Sequence, residues 1–275
     1  MPELPEVETV RRSLAEAIRG ATISDLWVGP FSGSLAGITP EAMRAEIVGE
    51  QIVKIGRRAK YLLLTLSNER TLAIHLRMTG ELTIARPEEP SGKHHHLTFV
   101  LADGRELRFS DIRKFGRIRL LDAAELAVLD AALGPEPLAP DLTPEMFHAR
   151  LQEHRRAIKP LLLEQHFLAG VGNIYADEAL FAAGIHPLRP ASSLTVEESD
   201  RLLQALRDIL SGAIARRGTT LRNYRDGLGQ SGGNQFHLRI YNRAEGEPCP
   251  RCGSPVRRLV VGQRGTKFCP RCQPL

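Results

Sequence analysis

The chain has 275 residues, 42% of them hydrophobic, and its 37 Lys and Arg against 32 Asp and Glu give a formal charge of +5. That is enough for two ordinary domains or one large one, with apolar material for sizeable cores, which excludes a disordered or fibrous chain. No run of about 18 apolar residues exists to span a membrane, and the charged start (Glu3, Glu6, Glu8, Arg11, Arg12) lacks the apolar stretch of a secretion signal, so a cytoplasmic protein without a membrane segment is expected.

The chain opens Met1-Pro2-Glu3-Leu4-Pro5-Glu6-Val7-Glu8. A methionine followed by a small residue is usually removed, which would leave the secondary amine of Pro2 as the terminus, with the Glu3 carboxylate beside it. An α-amine titrates near about 8 and a lysine near about 10.4, so a terminus can act as a Schiff-base nucleophile without a tuned pKa. The alternative is an ordinary fraying end. Residues 3 to 20 read as a helix, with Val7, Val10, Leu14 and Ile18 at helical spacing and Gly20 as its stop.

From about 21 to 121 the pattern turns strand-like, as in Tyr61 to Leu66, Thr71 to Leu76, Leu97 to Leu101 and Arg117 to Leu121. Turn signals separate these runs, at Ser67-Asn68, at Pro87 to Gly92 and at a hairpin turn over Ala102-Asp103-Gly104-Arg105. The expectation is a β-sandwich or barrel carrying the N-terminal helix. Lys60, behind Arg57-Arg58, guards the apolar run after it. His94-His95-His96 invites a metal reading, but successive strand residues point to opposite faces, so all three do not easily meet one ion.

Gly134 to Pro140 carries three prolines in seven residues and reads as a stiff linker. Beyond it the chain is helical, with Thr143-Pro144 starting one helix and others over about 173–184 and 195–216. Arg225 to Gln235 contains four glycines and is expected to be a mobile loop. Between Phe236 and Leu275 there are eight Lys and Arg against two acids, so this tail holds +6 and the other 235 residues come to −1. Such a tail suits a polyanionic partner or is simply a solvated charge run. All four cysteines lie here, as Cys249-Pro-Arg-Cys252 and Cys269-Pro-Arg-Cys272 around a segment with hairpin character. Two Cys-x-x-Cys pairs complete a tetrahedral thiolate shell for one structural zinc ion, and a cytosolic chain argues against disulfides.

The proline start, the four-cysteine end and the basic tail together resemble the formamidopyrimidine-DNA glycosylase family, a relative of endonuclease VIII. Further matches are Arg57-Arg-Ala-Lys60-Tyr-Leu, His75-Leu-Arg-Met78-Thr-Gly, Asp111-Ile-Arg113-Lys-Phe115-Gly, Ala157-Ile-Lys159-Pro and Gly170-Val-Gly-Asn173-Ile-Tyr. The resemblance implies an α+β multidomain fold: an N-terminal β-sandwich with its helix over 1–134, a linker over 135–145, a helical helix-two-turn-helix domain over 146–236 and a β-hairpin zinc ribbon over 237–275. It implies a bifunctional glycosylase and lyase that removes oxidised purines from double-stranded DNA and nicks the strand, acting as a monomer.

Residue by residue, the resemblance makes Pro2 the nucleophile, Glu3 a proton shuttle, Lys60 a catalytic lysine on the phosphate and Arg264 an arginine that helps pinch the backbone. Met78, Arg113 and Phe115 would fill the void left by a flipped nucleotide; taken alone, Met78 and Phe115 read as core. His75, Lys159 and Asn173 would contact phosphates, with a buried histidine and a plain helix cap as the alternatives for His75 and Asn173. Glu6, Thr219 and Tyr224 would lie near the lesion pocket, and Thr219 to Gln235 matches the position of the family's lesion-capping segment. His94 to His96 would form a loop or strand edge with one DNA contact at most. The rivals are an endonuclease VIII-like enzyme for oxidised pyrimidines, a non-enzymatic DNA-binding protein, and a zinc-ribbon module on an unrelated β domain.

Overall fold

A computed structural model describes residues 2–275, in two compact units. Met1, on whose removal the nucleophile assignment depends, lies outside the described residues.

The first unit comprises residues up to Ala131 together with Arg216–Gln235. It begins with α1, Leu4–Ile18, which holds Pro5 in its first turn, where a missing N–H leaves nothing unpaired. Val7, Val10, Leu14 and Ile18 are all buried along one face, as their spacing predicts. After β1 (Ile23–Val28), Thr39 accepts a hydrogen bond from the Ala42 N–H and caps α2, Pro40–Ile47. The strands β2 (Ile52–Arg58), β3 (Tyr61–Leu66), β4 (Thr71–His75), β5 (Gly80–Ala85), β6 (His95–Leu101), β7 (Glu106–Asp111) and β8 (Arg117–Leu121) follow, and then the exposed helix α3, Ala123–Ala131.

The strands form two antiparallel four-stranded sheets, ordered β1-β6-β7-β5 and β2-β3-β4-β8. Leu62 and Leu64 of one sheet and Phe99 and Phe109 of the other belong to a single core that also takes in α1. This is the expected sandwich with its helix. The histidine run departs from expectation in part: His94 lies in the turn ahead of β6, as a loop residue, but His95 and His96 open β6, which is an interior strand and not an edge. His96 Nε2 lies 2.8 Å from the Asp111 carbonyl, and His95 Nε2 lies 3.1 Å from that of Leu97. Backbone partners of this kind let polar rings enter a sheet, and sequence does not display them.

Residues 216–235, expected with the helical domain, pack with the sandwich. Three of their groups bond to α1: Thr219 N to Glu6 Oε1 at 2.7 Å, Tyr224 Oη to Glu6 O at 3.1 Å, and Gly227 N to Ser13 Oγ at 3.0 Å. Two of the glycines that suggested mobility are packing requirements. A Cβ on Gly227 would stand 2.6 Å from Leu14 Cδ2, and one on Gly232 would stand 2.1 Å from Gly218 O.

The second unit comprises Ala132–Ala215 and Phe236–Leu275. Its helices are α4 (Pro144–Gln152), capped by Thr143 as expected, the short α5 (Ile158–Leu162), α6 (Asn173–Ala183) and α7 (Val196–Ala215). Phe147, Phe167, Tyr175, Leu206 and Leu210 lie in their common core. The ribbon pairs β9 (Arg257–Val261) with β10 (Arg264–Phe268) and has its own small core of Phe181, Ile240, Val256, Cys249 and Cys269. Buried Glu178 accepts the N–H groups of Arg239, Ile240 and Tyr241 at 2.8–2.9 Å and so fastens the ribbon's approach segment to α6.

Candidate active site

At the start of α1, Pro2, Glu3 and Glu6 are buried, with Glu3 and Glu6 each 1% exposed. Glu3 caps the helix, and its N–H donates to Glu6 Oε2 at 2.8 Å. Glu6 thereby spends one carboxylate oxygen on the backbone beside Pro2 and the other on Thr219 N, while its carbonyl takes the Tyr224 hydroxyl. Asn234 Nδ2 completes the group by donating to Thr219 Oγ1 at 2.8 Å. The three residues expected near the lesion, Glu6, Thr219 and Tyr224, are therefore brought together as a brace on the N-terminus. Burial raises the Tyr224 phenol further above its ordinary range, so it remains a neutral donor. Lys60, also buried, is the second residue of the two-residue turn between β2 and β3, since Arg58 pairs with Tyr61.

Met78, Arg113 and Phe115 gather on two neighbouring loops of the sandwich. Arg113 Nη1 lies 2.9 Å from Met78 Sδ, and its guanidinium carbon stands 4.8 Å from the centre of the Phe115 ring. Met78 is 37% and Phe115 46% exposed, so neither is the core residue it would be by composition. Both loops hang on Asp111, which no sequence signal singled out as functional. Its Oδ1 accepts from Thr79 Oγ1 at 2.5 Å and from Arg113 N at 3.1 Å, and its Oδ2 accepts from Gly116 N at 2.7 Å.

His75 is buried, and its Nδ1 accepts from Arg77 N at 3.0 Å. Burial, with the charges of Arg77 and Lys60, pushes its imidazole down to about 3. A neutral ring with Nδ1 as acceptor carries its proton on Nε2. His75 therefore offers a phosphate one neutral N–H and no charge.

In the second unit Lys159 departs from expectation. Its ammonium is fully buried, 2.6 Å from Asp177 Oδ1, 2.7 Å from Thr266 Oγ1 and 3.2 Å from Gly265 O. It is thus an internal tie between α5, α6 and the ribbon hairpin, and no free charge for a phosphate. The reason is that a lysine taken out of water needs a counter-charge, which Asp177 supplies. Asn173 is the first residue of α6, with Gly172 in the cap position, and its Nδ2 reaches the same Gly265 carbonyl at 3.2 Å. Lys159 and Asn173 therefore converge on the residue that follows exposed Arg264 and fix the hairpin that carries it.

The four cysteine sulfurs lie within 4.8 Å of one another and form no disulfide. Cys249 Sγ is 3.8 Å from Cys272 Sγ, and Cys252 Sγ is 3.5 Å from Cys269 Sγ. Tetrahedral zinc with bonds of about 2.3 Å sets sulfurs about 3.8 Å apart. The N–H groups of Arg251 and Cys272 point at Cys249 Sγ and Cys269 Sγ, as suits ionised sulfurs. The donor set fits one structural zinc ion, and four thiolates close its shell to substrate.

One backbone feature recurs. Ala59, Arg77, Lys114 and Gln263 have φ of 51°, 55°, 59° and 60°, and they immediately precede Lys60, Met78, Phe115 and Arg264. Arg217, at φ 63°, with Gly218 after it, leads into Thr219. Each non-glycine residue in this region costs about 1 kcal/mol or more.

Comparison with known proteins covers both units. Residues 1–118 match the formamidopyrimidine-DNA glycosylase N-terminal domain, 133–225 its H2TH domain, and 246–275 the zinc finger found in FPG and IleRS. The chain is 54% identical to a formamidopyrimidine-DNA glycosylase of Chloroflexus aurantiacus, over 99% of this chain and 98% of that one. It is 51% identical to that of Herpetosiphon aurantiacus, over 99% and 100%. Among solved structures, Lactococcus lactis Fpg in complex with an abasic site containing DNA superposes with a TM-score of 0.93 at 37% identity, covering 99% of this chain and 100% of that one. The MutM (FPG) protein of Thermus thermophilus superposes with a TM-score of 0.87 at 43% identity, covering 99% and 98%.

Proposed function

The chain belongs to the formamidopyrimidine-DNA glycosylase family, and on that premise we propose that Pro2 is the nucleophile with which it excises oxidised purines, 8-oxoguanine and formamidopyrimidines, from DNA. The activity is that of a DNA glycosylase of base excision repair with an accompanying lyase, as the family has. The observation that carries the role of Pro2 is its burial beside Glu3 at the head of α1, held by the Glu6 brace.

The secondary amine attacks C1′ of the damaged nucleoside, and the base leaves with its bonding electrons and takes up a proton. The amine then loses its own proton and the C1′–O4′ bond opens, with O4′ protonated, to leave an iminium. The resulting iminium withdraws electrons and acidifies the C2′ proton, so β-elimination and then δ-elimination cut the strand. Glu3 is close enough in sequence to carry protons between amine and sugar. Lys60 supports the same centre and a phosphate. Extruding a nucleotide costs a few kcal/mol, which Met78, Phe115 and Arg113 offset by refilling the stack and meeting the widowed base. Glu6, Thr219 and Tyr224 shape the lesion side of the nucleophile, Arg264 grips the backbone, and His75 contributes its neutral Nε2–H. Asn173 and Lys159 act through the hairpin of Arg264. The zinc ion gives the ribbon its fold and takes no part in the chemistry.

Lactococcus lactis Fpg is described in complex with an abasic site containing DNA, and a mutant of it with a Fapy-dG containing DNA, which supports damaged double-stranded DNA as the partner here. Among the described residues no helix is long and apolar enough to cross a membrane. The reading extends to a cytoplasmic monomer that joins the nucleoid when bound. The divisions 1–134, 135–145, 146–236 and 237–275 describe its functional segments, with 216–235 serving the catalytic one.

Borohydride reduction during reaction with 8-oxoguanine duplex tests this directly. A covalent adduct at Pro2 is expected, with a residual adduct for Pro2→Gly, which keeps a terminal amine. No adduct would leave a DNA-binding protein without catalysis, and faster release of thymine glycol than of 8-oxoguanine would move the chain to the endonuclease VIII-like activity. Full activity with Met1 retained would refute the nucleophile.

A further inference from the structure

Glu8 lies on α1, six residues beyond Pro2, and its side chain is 12% exposed. Its carboxylate receives Arg11 and Arg12 from the same helix at 2.8 Å each, which is ordinary helix pairing. It also receives Arg57 Nε at 3.1 Å, from the end of β2. Arg57 Nη1 in turn donates to the Ala59 carbonyl at 3.0 Å. Ala59 is the residue with φ of 51° that opens the turn whose second residue is Lys60.

We propose that Glu8 and Arg57 are positioning residues for Lys60, because a carboxylate on the helix that carries the nucleophile holds, through one guanidinium, the carbonyl of the peptide from which the catalytic lysine projects. The proposal rests on the catalytic assignment of Lys60. Three observations favour this over a stabilising ion cluster. Arg11 and Arg12 already satisfy Glu8 locally, so Arg57 adds a link between elements 49 residues apart. The guanidinium fork bridges a side chain and a main-chain carbonyl at once, which lysine geometry does not reproduce. The held turn has alanine at φ 51° where a two-residue hairpin favours glycine or asparagine, so the Arg57 bond falls on a turn that its own sequence does not favour. Glu8 also stays ionised at every working pH. Burial alone would raise its carboxyl, but hydrogen bonds from Arg11 and Arg12 and the charges of Arg11 and Arg57 hold it down at about 2.

A double-mutant cycle decides the matter. Single-turnover formation of the borohydride-trapped adduct on abasic duplex is measured for Glu8→Gln, Lys60→Ala and the double variant, alongside affinity for a duplex with a tetrahydrofuran abasic analogue. Glu8→Gln is expected to slow trapping roughly 10-fold with affinity unchanged, since small misplacement of a reacting group costs up to about 100-fold. In the Lys60→Ala background it should cost nothing further. Arg57→Lys, which keeps the charge without the fork, should match Glu8→Gln and stands in if that variant does not fold. An unchanged trapping rate, or the same loss with and without Lys60, overturns the positioning role. A Lys60→Ala protein as fast as the wild type would instead sink the assignment of Lys60, and the proposal with it.

Discussion

Asp111 makes the sharpest test of how the void-filling cluster is held. Replacing it by alanine strips three hydrogen bonds from a fully buried carboxylate, those from Thr79 Oγ1, Arg113 N and Gly116 N. A bond to a charged acceptor contributes about 1.5–3 kcal/mol. The Gly116 N–H is left buried and loses the whole of this, whereas Arg113 N keeps its second acceptor, Thr79 Oγ1 at 3.1 Å, and Thr79 sits nearer solvent and recovers part from water. The expected loss of unfolding free energy is therefore about 3–4 kcal/mol, and about half of that for Asp111→Asn, which keeps one acceptor oxygen. Met78, Arg113 and Phe115 would no longer be preset, so part of the extrusion cost goes uncompensated. A shortfall of about 1.4 kcal/mol slows 8-oxoguanine excision about 10-fold. An abasic site has no base to unstack and should be nicked at close to the normal rate. Urea titration with single-turnover kinetics on the two substrates reads both effects. Equal slowing on the two substrates, or an unfolding free energy within about 0.5 kcal/mol of wild type, refutes the reasoning.

The Glu8 carboxyl titrates at about 2 in the fold against 4.5 as its ordinary value, so its contribution is complete above 4.5 and is lost as pH falls toward 2. Discounted for solvent screening it amounts to about 1–2 kcal/mol, and urea midpoints taken from pH 6 to pH 3 should fall less steeply in Glu8→Gln; parallel curves would contradict this. Lys159→Met leaves Asp177 as an unpaired buried carboxylate and should cost about 3–5 kcal/mol, much of it regained in Lys159→Met with Asp177→Leu; calorimetry that finds the double variant no better than the single one counts against the buried pair. Chelating the zinc should unfold the ribbon and weaken DNA binding at least about 10-fold, and fluorescence anisotropy showing unchanged affinity after verified metal loss would rule that out.

Much of the fold was legible because it is periodic or punctuated. Val7, Val10, Leu14 and Ile18 face one way on α1, Thr143 caps α4, and the cysteine pairs draw their own metal shell. The site was legible only where a motif was specific enough to compare with a family. What stayed hidden depends on partners far apart in the chain. Lys60 and Lys159 look alike locally, yet one is set in a turn of the sandwich and the other is neutralised by Asp177 and bonded to Thr266, 107 positions on. The glycines of 225–235 suggested mobility, because composition cannot show that Leu14 and the Gly218 carbonyl leave no room for a Cβ. Asp111 stood in the motif of Arg113 and Phe115 without a role for the same reason: an aspartate at a strand end carries no sign of the two loops it joins.

The left-handed residues ahead of Lys60, Met78, Phe115 and Arg264 bear on how this protein could be made hardier. Glycine at Ala59, Arg77, Lys114 or Gln263 is the substitution a thermostability engineer would try first, and relief of about 1–2 kcal/mol of backbone strain each, less about 0.4–1 kcal/mol for the freer unfolded chain, should raise the melting point modestly. The same change frees the side chain that follows to swing through a wider arc. A variant set combining the four should therefore melt later and repair more slowly, a trade of durability against turnover that one melting curve and one excision time course would expose.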